Sequence, residues 1–80
     1  MADIKRLGNG VIVEDNEGNK YNFPLNTIIL AAEERSDMVN IKLKSYRRTI
    51  MALNYKTFTK FNASSAEELC KIIQNIIYNK

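Results

Sequence analysis

The hydrophobic period changes once along this 80-residue chain, and the point of change limits what the chain can become. Through the first sixty residues, apolar side chains recur at alternate positions between polar turns. From Ser64, the stretch "SSAEELCKIIQNIIYN" switches to helical spacing. Leu69, Ile72, Ile73, Ile76 and Ile77 follow i, i+3, i+4, i+7, i+8. Ser64 and Glu67 stand at capping-box spacing ahead of them, and Glu67 with Lys71 forms an outward i,i+4 pair. One amphipathic helix after a run of strands has one natural destination, the apolar face of the sheet. The expected fold class is α+β. A small antiparallel sheet of four or five strands, with curling into a partial barrel as a variant, carries one C-terminal helix in a single domain over residues 1–80.

The strands are read from alternation and turn chemistry. "VIVEDNEGNKYNFPL" is a hairpin: Val11 and Val13 share one face, Tyr21, Phe23 and Leu25 alternate on the return, and Gly18 in "DNEGN" supplies a left-handed turn position. Pro24 lacks an amide donor, which predicts an edge strand or a strand end there. "NTIILAAEE" is apolar on both faces from Ile28 to Ala32, as in a strand covered on both sides. Val39, Ile41 and Leu43 then alternate with Asn40, Lys42 and Lys44. "RTIMALNY" sets Met51, Leu53 and Tyr55 against Ile50, Ala52 and Asn54. The intervening "SYRR" has no Gly, Pro or Asn, so its turn has no recognisable chemistry, and a bent continuous strand is the other reading.

Several means of stabilising a small domain are excluded. A chain of this length buries a thin core and often needs a disulfide, a metal or a partner. Cys70 is the only cysteine and there is no histidine, which leaves the partner. No cofactor or metal is expected, and no membrane association, because no apolar run is long enough to span a bilayer. "MADIKRLGNG" lacks the apolar segment of a signal peptide, so the expected location is the cytoplasm or a virus particle assembled there.

Catalysis is not expected. No histidine is available as a base, and Cys70 lies on the helix stripe with Ile73 and Ile77, as an inert buried thiol would. The carboxylates at Glu14-Asp15-Glu17, Glu33-Glu34 and Glu67-Glu68 read as solvated surface. Asp15, Glu17 and Asn19 alternate like calcium-loop ligands. However, Lys20 and Asn26 stand where that loop needs Gly and Glu, so a plain turn is the better reading. "GNG" at residues 8–10 opens no helix and cradles no phosphate.

What remains is charge and apolar excess. Residues 1–37 carry net −3 and residues 38–60 net +6, with no acidic side chain in the second span. Lys42, Lys44, Arg48 and Lys56 are expected on the outer face of a hairpin, with Tyr46 and Arg47 at its tip. Nucleic-acid binding needs such cations for phosphates and aromatics for stacking on exposed bases, but Tyr55, Phe58 and Phe61 are read as core or corner, which leaves Tyr46 alone. Ile50 is expected to point outward between Arg48 and Lys56, where a partner would cover it. These seven residues, Lys42, Lys44, Tyr46, Arg47, Arg48, Ile50 and Lys56, form the candidate interaction surface.

With "GNGVIVEDNEGNKYNFPLN" at the front and "FNASSAEEL" leading into the helix, the chain resembles short proteins of crAss-like tailed phages of gut Bacteroidetes. That resemblance implies a small structural or accessory component of a virion, and it carries no functional residue across. The order of sheet then terminal helix is also similar to pleckstrin-homology-like and PUR-repeat-like domains, an analogy that does not decide function. The expected function is a non-enzymatic interaction or structural module, as a homo-oligomer or as a subunit of a larger assembly. The alternative is a nucleic-acid-binding domain that uses the basic hairpin.

Overall fold

A computed structural model of the chain describes residues 2–33 and 35–78. It is α+β, with six strands in two antiparallel sheets rather than four or five in one. Strands β1 (Asp3–Leu7), β2 (Gly10–Glu14) and β3 (Lys20–Pro24) form the first sheet in chain order. Strands β4 (Ile28–Ala32), β5 (Met38–Leu43) and β6 (Arg48–Asn54) form the second. Helix α1 (Ala66–Tyr78) follows.

The break between sheets falls where the sequence places a proline. Pro24 ends β3, which is an edge strand, and a single 3-10 turn at Leu25–Thr27 redirects the chain into β4. Strand β1 was not legible because its inward positions are Ile4 and Arg6, opposite Val13 and Val11, so alternation of apolar residues does not show. A two-residue turn with Gly8 at φ 61° joins β1 to β2. The next turn uses Gly18 at φ 88°, and the Asp15 carboxylate accepts from the amides of Glu17 and Asn19 at 2.9 Å each.

The helix begins one residue later than the capping-box spacing of Ser64 and Glu67 suggests. Ser65 is the cap: its Oγ accepts from the Glu68 amide at 3.1 Å, and the Ser64 hydroxyl donates to the Glu68 carboxylate. The buried stripe is rotated accordingly. Ala66, Leu69, Cys70, Ile73 and Ile77 are buried, Ile72 is half-buried, and Ile76 is 38% exposed.

One core results. Ile4, Val11 and Val13 enter it from the first sheet, Ile28, Leu30, Val39, Ile41 and Leu53 from the second, and the stripe from the helix. Phe58 and Phe61 close the corner before the helix, with ring centroids 5.7 Å apart. The helix packs against β1, β4 and β5. Its far end is tied to both sheets. Arg6 Nη1 donates to the Ile77 carbonyl at 3.1 Å, a cation on the negative end of the helix dipole, and the Tyr78 hydroxyl donates to the Ile28 carbonyl.

Ile73→Ala is therefore expected to cost about 2–5 kcal/mol, a large share of the about 5–15 kcal/mol that holds a small domain together. Ile76→Ala should cost about 1 kcal/mol or less, since much of that side chain is already in water. Urea unfolding followed by far-UV circular dichroism compares the two; equal losses would mean that the helix is docked on a different face.

Candidate interaction surface

The helix bridges the β1 and β4 edges, so it closes one side of the space between the sheets. On the other side stand β3 and β6, the remaining edges, and among the described residues neither pairs with another strand. Between them opens a groove of about 270 Å³. Val13, Tyr21 and Phe23 line one wall, Leu43, Ile50 and Met51 the other, and Asp15, Arg48 and Thr49 complete the lining. Tyr21, inward on β3 but beyond the helix's reach, is 49% exposed.

A β-bulge gives β6 its shape at the groove. Ile41 pairs with Met51 and Lys42 with Thr49, so Ile50 is an extra residue without a partner. Simple alternation from Met51, Leu53 and Tyr55 puts Ile50 and Arg48 on the outer face. The extra residue reverses that parity. Ile50 is half-buried against the core and lines the groove, and Arg48, opposite Leu43, lines it too. Ala52, beyond the bulge, keeps its outward direction opposite Asn40.

The candidate surface read from sequence is therefore divided. Lys44, Tyr46 and Arg47 lie in the β5–β6 turn with Arg48 just beyond it, and Tyr46 is 80% exposed. The turn exists despite its lack of turn residues because Arg47 itself takes the left-handed conformation, φ 49°. Lys42 lies on the outer face beside Ile29 and Thr49. Lys56 sits past the opposite end of β6, 3.0 Å from Asp37, whose carboxylate raises its pKa through a hydrogen bond and then through charge attraction. It does not share a face with the tip.

Ion pairing sharpens this division. Lys20 meets Glu14 at 3.8 Å and Lys60 meets Asp3 at 2.9 Å, so with Lys56 three lysines away from the tip each face a carboxylate. Among the described residues, Lys44, Arg47 and Arg48 have no carboxylate within ion-pair distance. The groove thus has a basic end at the β5–β6 turn. Its other end is the β2–β3 turn, where Asp15 lines the groove and Glu17 stands exposed, with Asn16 near Ala52 and Asn54. Burial works to raise the Asp15 pKa, but hydrogen bonds from Asn19, Glu17 and Gly18 outweigh it, so the carboxyl is held below its usual range.

Other readings resolve away from the groove. The strand expected to be covered on both faces is not: Ile28 and Leu30 are buried, while Ile29 is 41% exposed on the outer face. Asn40, at the centre of that face between Ala31 and Ala52, is buried and donates to the Glu33 carboxylate. Glu34, of the adjacent Glu33-Glu34 pair, lies outside the described residues. Among the described residues no three metal-ligating side chains gather, and no helix is long and apolar enough to cross a membrane. No protein family, curated protein or solved structure matches the chain.

Cys70 is buried, and burial pushes its thiol pKa up, partly offset by a hydrogen bond with the Ala32 backbone. Burial raises the Tyr78 phenol as well. Both groups are neutral when protonated, so the folded state holds those protons more tightly than the unfolded chain does. The stabilisation is complete below the ordinary values of 9.0 and 10.0 and is lost as pH rises through the higher folded values. Denaturant midpoints should accordingly fall above about pH 9, and Cys70→Ala should shift the onset upward. A midpoint that is flat through the alkaline range would mean that the thiol and phenol are not desolvated.

Proposed function

We propose that this chain is a non-enzymatic protein-interaction module, a subunit of a larger assembly, with its partner seated on the groove between β3 and β6. The observation that carries this reading is an apolar opening into the core flanked by two unpaired strand edges, where Tyr21, Phe23, Ile50 and Met51 are left uncovered by the chain's own helix. Edges of this kind are what a partner chain adds to. A virion of a crAss-like phage is the setting that the sequence resemblance supports.

One observation favours a second reading, nucleic-acid binding. The unneutralised cations Lys44, Arg47 and Arg48 cluster at one end of the groove with the exposed Tyr46, and Tyr21 lines the same groove as Arg48. The groove is apolar along its length, however, and its other end carries Asp15, which repels phosphate.

Titration with single-stranded DNA and RNA separates the readings. The interaction module binds neither better than an unrelated protein of equal charge does. Tight binding that weakens by about tenfold or more between about 50 and 200 mM salt, as three phosphate contacts on a single strand imply, and that disappears in Lys44→Glu with Arg48→Glu, would establish the second reading instead.

A further inference from the structure

We infer that the partner on the groove is a second copy of this chain, related by a two-fold axis that sets the two grooves antiparallel; this rests on the interaction reading above. Charge placement selects this occupant. Among the described residues, the groove is basic at the β5–β6 turn, where Arg47 and Arg48 have no carboxylate within ion-pair distance, and acidic at the β2–β3 turn, where Asp15 and Glu17 have no cation within that distance. Two lysines near the groove but outside its lining are already paired, Lys20 with Glu14 and Lys56 with Asp37. What lacks an opposite charge is therefore one acidic end and one basic end of the same groove.

A two-fold axis through the middle of the groove brings each basic end against the partner copy's acidic end. Both unsatisfied ends are then matched by one operation, and the half-exposed rings and aliphatic chains between them meet their own counterparts. A uniformly basic or acidic partner would satisfy one end and be repelled by the other. A head-to-tail stack of copies would leave an unmatched groove at each end of the chain of molecules. The two-fold pair leaves none.

Charge reversal tests this with four exposed residues, so folding is not at issue. Lys44→Glu with Arg48→Glu outweighs the remaining Arg47 and makes both ends acidic, and Asn16→Lys with Glu17→Arg outweighs the remaining Asp15 and makes both ends basic. Sedimentation velocity of the full chain is run for wild type, each variant and an equimolar mixture of the two. Wild type is expected to form dimers, and each variant alone should self-associate about tenfold or more weakly. The mixture should regain association, because a variant with two acidic ends then faces one with two basic ends. A wild type that stays monomeric up to about 1 mM overturns the inference, as do variants that dimerise as well as wild type or a mixture that stays monomeric. Failure of the interaction reading itself appears in a different signal, steeply salt-dependent binding of single-stranded DNA by the wild type, so the two failures are told apart.

Discussion

Among the described residues, one 13-residue helix is all that covers the space between two three-stranded sheets. A helix is about 10 Å across, which is enough to close one side of a small sandwich and not both. Here it lies across the β1 and β4 edges, where its five buried residues join Ile4, Ile28, Leu30 and Ile41 in one core. Arg6 and Tyr78 fasten its last turn to the two sheets, one from each side. The position of the open groove follows from this. Sheets closed at β1 and β4 by the helix are left open at β3 and β6, and among the described residues no further element covers the inward-facing side chains of those strands.

The chemistry of the groove then depends on one inserted residue. Without the bulge at Ile50, Arg48 would lie on the solvent face with Lys42, and the groove would have no cation in its wall. With it, Arg48 and Ile50 turn inward together, giving the second wall an apolar centre and a charged end. A bulge also increases local twist and spoils a flat edge, which keeps β6 from unselective strand pairing while it shapes a specific surface. The Asp15 turn supplies the opposite charge from the other sheet, so the polarity visible along the sequence becomes polarity along a single groove.

Much of the fold was legible because local signals agreed with it. Period two marked β2, β3, β5 and β6, a continuous apolar run marked β4, Pro24 marked an edge, Gly18 marked a turn, and the Ile-rich stripe marked the helix. The failures share a cause: a residue doing something that its type does not announce. Arg6 occupies an inward strand position because it serves the helix end, so β1 was invisible. Arg47 adopts a conformation suited to Gly, so the β5–β6 turn looked doubtful. Ile50 is a bulge that no composition signals, and one unpaired residue moved two members of the candidate surface to the other face. Lys56 looked like part of the basic cluster because sequence distance does not show that Asp37 stands beside it. The tip residues Lys44, Tyr46, Arg47 and Arg48 were recognisable as a group. The groove they border was not, since it is formed by strands from two sheets that the sequence suggested were one.

A partner can seat only if the groove is open on the side away from the helix. Solvent paramagnetic relaxation of side-chain methyl groups, measured by NMR at protein concentrations low enough to favour the monomer, tests this directly. The Ile50 and Met51 methyls should be strongly relaxed by a dissolved paramagnet, while those of Ile4, Ile73 and Ile77 remain shielded. If Ile50 and Met51 are as shielded as Ile73, the sheets close on each other as a barrel, and the surface proposed for a partner does not exist.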